Sequence, residues 1–307
     1  MSISFVFGRL EILFMKTLNL KAQFARGDTI VAPGVFDAFS AASAEKVGFT
    51  AAYISGASVS YCHFGLPDIG LVSMREVADT LSNIRERVDI PLIVDADTGF
   101  GNAINVQRTV KLFERNGANC IQLEDQTMPK RCGHLKGKGL VSTAEAVGKI
   151  KAAVDARTNE ETLIMSRTDA IAVEGFNAAL DRAEHYLEAG ADILFIEAPN
   201  NESEMRTLTA QFKDRVPLLA NMVEGGFTPM FNVEKLTEIG YRVVIFPGGL
   251  FRARSLMEQE YFTSLKKHGW NKPYQDRMLD FKQMNEALGT QEILDAGAKY
   301  DAENFDD

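Results

Sequence analysis

Charged and polar residues stand at the ends of short apolar runs along this chain. Ser55-Gly56 closes one run, Asp95-Ala-Asp97 the next, then Glu124-Asp125 and Arg167-Thr-Asp169. Glu197, Asn221 with Glu224 beyond it, and Arg252 follow later runs. Carboxylates converging on one place repel strongly at low effective dielectric unless a cation or an arginine compensates, and a hard divalent metal meets that need. Asp95 and Asp97, two apart on one strand, face the same side and can share a cation, with Glu124 from the neighbouring strand end completing the set. Oxygen donors without His or Cys favour Mg²⁺, or Mn²⁺, over Zn²⁺. The competing reading makes the aspartates a helix cap, because Gly99 to Asn102 follow and a helix is predicted to start near Ala103.

The segment 130–138 is basic and contains glycine within an acidic protein, as suits a lid closing over an anionic substrate. Cys132 sits there among cations, whereas Cys120 lies within an apolar run and reads as core packing. Cys62 lies in a loop beside His63 and is open to either reading. His134, in the same lid, is either an active-site group or an ordinary loop histidine.

Positioning these groups requires a repeated unit, and the sequence has one: a helical pattern, a glycine, then an apolar run rich in β-branched residues. Gly48, Gly117, Gly190 and Gly240 occupy the glycine position, where a left-handed residue ends a helix. The runs fall at 29–34, 51–56, 91–97, 120–125, 162–169, 191–199, 217–223 and 242–248. Their near-continuous apolar character predicts parallel strands buried on both faces. Spacings of roughly 22 to 40 residues leave room for one helix between each pair. Eight such units predict a (β/α)₈ TIM barrel over 17–250, with the chemistry at the C-terminal strand ends. A doubly wound open sheet is the alternative, but no GxGxxG follows the first strand. Helical patterns at 251–268 and 273–288 predict a C-terminal helical extension over 251–299, a feature that often packs on a neighbouring subunit. The ends, 1–16 and 300–307, are expected to be flexible, and Met15 competes with Met1 as the initiator. The apolar start is interrupted by Arg9 and Glu11, and no small-residue cleavage site follows, so it does not read as a signal peptide.

Composition narrows the function. The chain has 307 residues, 46% hydrophobic and 24% charged, which suits a soluble globular protein able to bury a large core. A formal net charge of −9 argues against a nucleic-acid surface, and no apolar run is long enough to span a membrane. Three cysteines without CxxC spacing indicate neither a disulfide framework nor a structural zinc, and fit a reducing cytoplasm.

Ser55-Gly56-Ala57, Gly65-Leu66-Pro67-Asp68, Asp95-Ala-Asp-Thr-Gly-Phe-Gly-Asn102, Glu124-Asp125-Gln126, Lys130-Arg131-Cys132-Gly133-His134 and Ser166-Arg167-Thr168-Asp169-Ala170 together are highly specific. In these motifs the chain resembles the isocitrate lyase and phosphoenolpyruvate mutase superfamily, especially its 2-methylisocitrate and 2,3-dimethylmalate lyase branch, from about Pro33 to Arg252. The resemblance implies Mg²⁺-dependent carbon–carbon bond cleavage in a small 2-hydroxy dicarboxylate. Asp95, Asp97 and Glu124 would hold the metal, partly through water, with Asp68 in the same shell. Backbone N–H groups of Ser55, Gly56 and Ala57 would hold the carboxylate of the 2-oxo-acid half. Tyr53 would serve as base or relay near the 2-hydroxyl. Arg167 would neutralise the leaving enolate and Cys132 would protonate it. Glu197, His134 and Asn221 would orient the second carboxylate and the thiol, and Gly133 and Arg252 are read with the substrate-binding positions. The superfamily also implies a homotetramer with exchanged C-terminal helices.

Cys132 speaks for a lyase over the mutases of the superfamily. Methylisocitrate enzymes carry Asn-Ile-Thr after strand seven and an additional arginine in the C-terminal helices; here strand seven reads Asn221-Met222-Val223, and Phe281 stands near the arginine's place. Pro247 resembles the lyases rather than the oxaloacetate hydrolases. The expected substrate is therefore a methyl-bearing malate such as 2,3-dimethylmalate, giving pyruvate and propionate. Alternatives are 2-methylisocitrate cleavage, oxaloacetate hydrolysis or decarboxylation, carboxyphosphoenolpyruvate phosphonomutase chemistry, and a catalytically silent barrel kept as a binding protein.

Overall fold

A computed structural model describes residues 19–133, 135 and 137–301. The stretch 1–16 with both candidate initiators, His134 in the lid and the end of the acidic tail lie outside the described residues. Eight parallel strands form: β1 Ile30–Val35, β2 Ala52–Ile54, β3 Leu92–Asp95, β4 Cys120–Glu124, β5 Leu163–Thr168, β6 Ile193–Ile196, β7 Leu219–Asn221 and β8 Val243–Phe246. Each lies within, or within one residue of, its apolar run, and all but β1 are shorter because the polar ends leave the ladder to build loops. The order β6-β5-β4-β3-β2-β1-β8-β7, with a parallel bridge from Leu194 to Leu218, makes a nearly closed ring. Helices alternate with the strands, so the fold is a (β/α)₈ barrel. Gly48, Gly117, Gly190 and Gly240 all take positive φ where the preceding helices end, as a helix stop before a strand requires.

Strand alternation sorts the side chains into two layers. Ile30 and Ala32, Tyr53, Ile93, Cys120, Leu163 and Met165, Ile193 and Phe195, Leu219, and Val243 and Ile245 pack together inside the ring, with Leu20 from the first helix among them. Residues of opposite parity, such as Ile54, Leu92, Val94, Ile121 and Ile164, pack against the surrounding helices. The inward parity has a chemical consequence. Continued by two residues past the apolar filling, it reaches Asp95, Arg167, Glu197 and Asn221, and on β4, by four residues through Gln122, Glu124, so the period of the strand delivers these groups to one mouth.

β1 and β8 approach closely where they leave the barrel. A Cβ added at Gly34 would lie 2.3 Å from the Pro247 carbonyl oxygen. Because both atoms belong to backbone, Gly34→Ala is expected to cost about 2 kcal/mol or more. Thermal unfolding of the variant checks this, and an unchanged melting temperature would contradict the close approach.

The chain divides into two compact units, with the boundary between Phe251 and Arg252. In the second unit, the helices Phe281–Leu288 and Thr290–Ala298 follow the long helix Gly249–His268. Asp280 starts the first of these with a reciprocal capping box to Gln283. Tyr274 is the buried anchor, packed edge-on against Tyr261 at 5.6 Å and beneath Arg277 at 4.9 Å.

Candidate active site

At the mouth, the end of β3 faces β2 and β4. The Tyr53 hydroxyl donates to Gln122 Oε1 at 2.9 Å, and Gln122 Nε2 donates to Asp95 Oδ1 at 3.0 Å. Asp95 Oδ1 also accepts the Asp97 N–H at 3.1 Å. This holds Asp97 at φ 47, a left-handed conformation unusual for a residue other than glycine and a mark of local strain at a working site. The aspartate pair is therefore not the cap of the next helix. Asn102 caps Ala103–Arg115, accepting from Ile104 and Asn105. Burial first, then Asp95, pushes the Tyr53 phenol well above its usual range, so it remains protonated.

Lys130 enters this cluster from the lid. It forms a buried ion pair with Asp68 and places Nζ 2.7 Å from Asp97 Oδ1, at an orientation that makes an ion pair without hydrogen-bond alignment. Burial would lower the Lys130 pKa, but Asp97, Asp68, Glu124 and Asp95 outweigh it and hold the ammonium well above its usual value. Asp97 itself is pushed up to about 7, chiefly by burial, with Lys130 opposing. Composition and spacing marked Lys130 only as one of several lid cations. Its role needs the lid folded onto β3.

A second cluster surrounds Arg167 at the end of β5. The guanidinium pairs with Asp169 at 2.9 Å and lies 3.4 Å from both Glu124 and Glu197. It also stacks over the Phe195 ring at 5.1 Å. Burial opposes its charge, but Asp169, Glu124 and Glu197 raise its pKa well above the ordinary value. Asn221 donates to Glu197 at 3.0 Å. Behind it, Asp125 accepts from Thr168, Tyr186 and the Asp169 N–H at 2.7, 2.8 and 3.0 Å, which fixes the turn that aims Asp169.

The lid lies across both clusters. Its root is zipped by Thr127 N–H to the Gly139 carbonyl at 2.9 Å and by Gln126, which bonds the Arg131 carbonyl and N–H at 2.8 and 2.9 Å. Cys132 is half-buried and the following Gly133 buried. A Cβ at Gly133 would meet Arg167 Nη2 at 2.5 Å and Glu197 at 2.9 Å, so only glycine lets the lid lie this close. Beside the lid lies a cavity of about 510 Å³ whose walls include Leu135, Lys138, Ile171, Val173, Ala198 and Phe227.

Ser55, Gly56 and Ala57 sit where β2 passes into the short helix Gly56–Val59, with Ser55 as its cap. Arg252 is exposed and opens the second unit, outside the barrel cluster's own unit. Three groups escaped the sequence reading: Gln122, Lys138 and Lys130 as a partner of the acidic cluster. Gln122 left a signal, being a polar residue at the inward parity of an otherwise apolar strand. Lys138 left none apart from its place in the lid.

The carboxylates suit a hydrated hard cation. Among the described residues, no three His, Cys, Asp or Glu side chains form a compact direct ligand set. Mg²⁺ does not need one, since it keeps several waters and is commonly bound through one or two carboxylates. A Cβ at Gly56 would lie 3.2 Å from Asp95 Oδ2 and 3.5 Å from Asp97 Oδ1, so the two carboxylates border one small space. Buried Glu124 Oε1 has no protein hydrogen-bond partner. Burial foremost raises the Glu124 and Asp97 pKa values, and a divalent cation would reverse that by favouring the ionised forms.

A parallel barrel carrying buried acid–base clusters and a cysteine lid at its C-terminal mouth defines a metabolic barrel enzyme. The family described as phosphoenolpyruvate phosphomutase matches residues 20–264. The chain is 43% identical to the 2,3-dimethylmalate lyase of Eubacterium barkeri over 273 residues, 88% of this chain and 93% of that one. It is 45% identical to the 2-methylisocitrate lyase of Aeropyrum pernix over 272 residues, 89% of this chain and 87% of that one. A crystal structure of 2,3-dimethylmalate lyase superposes with a TM-score of 0.86 at 32% identity, covering 96% of this chain and 97% of that one. A phosphonopyruvate hydrolase solved with oxalate and Mg²⁺ superposes with a TM-score of 0.83 at 29% identity, covering 93% and 99%. The chain belongs to the phosphoenolpyruvate phosphomutase family and is a carbon–carbon lyase of the isocitrate lyase and phosphoenolpyruvate mutase superfamily.

Proposed function

We propose that this lyase cleaves the C2–C3 bond of a methyl-bearing 2-hydroxy dicarboxylate of the 2,3-dimethylmalate type, releasing pyruvate and propionate. The observation that carries the reading is the packing of Gly133 onto Arg167 and Glu197, which sets the Cys132 loop over the guanidinium. Asp95, Asp97 and Glu124, with Asp68 behind Lys130, would hold Mg²⁺, and the same oxygen donors suit Mn²⁺. When bound, the metal supplies Lewis-acid stabilisation of the 2-oxo-acid oxygens.

The protein groups account for the remaining charge movements. Transfer of the hydroxyl proton to water turns C2–OH into an alkoxide, whose electrons form the new carbonyl as the C2–C3 bond breaks. The departing half is a carbanion alpha to its one carboxylate, in effect an enolate dianion. Arg167 offsets its charge, and the Cys132 thiol gives it a proton at C3. A thiol of ordinary pKa near 8.5 is mostly protonated at neutral pH and can act so. Tyr53, held protonated and bonded to Gln122, suits a donor or relay better than a base. First-turn N–H groups at Gly56 and Ala57 lack intrahelical partners by geometry and would receive the 2-oxo-acid carboxylate. Glu197 and Asn221 orient the opposite side, and we keep His134 and Arg252 as candidate substrate contacts.

The cavity beside the lid supports a methyl-bearing substrate. Leu135, Ile171, Val173 and Phe227 supply apolar wall, with Lys138 the one charged residue among the described lining. Phe281 is exposed in the second unit, and the apolar wall is supplied by barrel residues. Relatives that cleave 2-methylisocitrate keep that substrate as the second reading. Exposed Leu256, Phe262, Trp270, Ile293 and Leu294 in the C-terminal unit support a homo-oligomer, for which the resemblance implies a tetramer. Three free cysteines fit the cytoplasm.

The deciding experiment assays 2-oxo-acid release from 2,3-dimethylmalate, 2-methylisocitrate, oxaloacetate and phosphonopyruvate, with Mg²⁺ and after chelation. Dimethylmalate is expected to give the highest kcat/KM, and chelation to abolish turnover. Preference for the tricarboxylate would move the assignment to the second reading, and no turnover of any 2-hydroxy dicarboxylate would sink it.

A further inference from the structure

Arg167 is outnumbered by its own neighbours. Glu124, Asp169 and Glu197 all lie within 3.4 Å of one guanidinium, which is therefore largely neutralised before any anion arrives. A second cation reaches this group from the lid. Lys138 places Nζ 2.8 Å from Asp169 Oδ1 and also donates to the Gly133 carbonyl. The Lys138 and Asp169 side chains are 2% and 0% exposed, so the pair is shielded from water and little screened. Asp169 Oδ1 is shared, since Arg167 Nη2 donates to it as well at 3.1 Å. Asp169 is also fixed through its backbone to Asp125, so it offers the lid lysine a fixed anchor on the barrel.

We propose that Lys138 is a positioning residue that latches the lid and, by meeting Asp169, makes Arg167 available to the substrate. With the lid down, Lys138 takes up part of the Asp169 charge, and its bond to the Gly133 carbonyl fixes the backbone immediately after Cys132. With the lid raised, Asp169 turns to Arg167 alone and the guanidinium is spent on protein carboxylates. Closing the lid thus does two things through one side chain: it seats the thiol, and it frees positive charge where the enolate develops. An anion on Arg167 and a closed lid favour each other, because each relieves the imbalance the other leaves. The kinetic part of this inference rests on the lyase reading, while the latch itself does not.

The latch is tested in the full-length protein carrying Cys62→Ser, so that iodoacetamide labelling reports Cys132; Cys120 is fully buried. Lys138→Met keeps the stem and removes the charge, and Lys138→Arg keeps the charge. Loss of a buried charged hydrogen bond is expected to speed Cys132 labelling about tenfold or more in the Met variant, with the Arg variant near native. On dimethylmalate, kcat should fall at least about tenfold in the Met variant while KM changes less, because the latch acts on the closed state. Labelling within twofold of native in a Met variant of native melting temperature would overturn the latch. If that variant does not fold, Lys138→Gln read by the same labelling decides. Labelling needs no substrate, so failure of the lyase reading would show as absent turnover with the labelling difference intact.

Discussion

Arg167→Met is expected to lower kcat/KM for 2-hydroxy dicarboxylate cleavage by about 10³-fold, the scale of removing a preorganised charge stabiliser from a water-excluded site. The variant should also lose about 3–5 kcal/mol of stability at neutral pH, because it removes the cation shared by buried Glu124, Asp169 and Glu197 and leaves Asp169 to Lys138 alone. The pH dependence has a definite sign. Burial alone would raise the Asp169 pKa, but Arg167 and Lys138 outweigh it and hold the carboxyl below its usual range. A group depressed in the folded state stabilises above its unfolded pKa, near 3.9 for Asp, and that contribution fades as pH falls through the folded value. The native protein therefore draws on this term at neutral pH and loses it in acid. The stability gap between native and variant should be widest near pH 7 and narrow below about pH 4. Denaturant unfolding at several pH values checks this, and a gap that widens in acid would contradict the ion-pair assignment.

Cys132→Ser is expected to reduce kcat by about 10²- to 10⁴-fold with little change in KM. Serine fills nearly the same space, so the lid should still close and Gly133 should still rest on Arg167. What changes is acidity, because a hydroxyl gives up its proton far less readily than a thiol. The loss should therefore fall on the protonation of the enolate and not on binding. Steady-state kinetics on the preferred dicarboxylate reads the split, and undiminished cleavage would exclude the thiol as proton donor. A loss confined to KM would instead place Cys132 among the binding groups.

The barrel was legible because each of its signals is local. A glycine at positive φ must stop a helix, and a β-branched apolar run following it must be a buried strand, as Gly117 and Cys120–Glu124 show. Much of the acidic site was legible for the same reason, since polar residues ending apolar strands have nowhere to go but the mouth. The lid was legible as a basic segment, but what its two lysines touch was not. Lys130 meets Asp68, 62 residues away, and Lys138 meets Asp169, 31 residues away. Gln122 joins Tyr53 to Asp95 across three strands, a relation that depends on register.

By itself, then, the sequence determined the parallel barrel, the inward parity that aims Asp95, Glu124, Arg167, Glu197 and Asn221, and the presence of a cysteine in a basic lid. These follow from backbone stereochemistry and hydrophobic burial, which act over a few neighbouring residues. Only the tertiary structure decided how charge is shared: that Lys130 belongs to the β3 carboxylates, that Arg167 answers to three acids, and that Lys138 shares one of them. Electrostatic partnership depends on distance in space and on exclusion of water, and neither exists until the lid and the strand ends have come together.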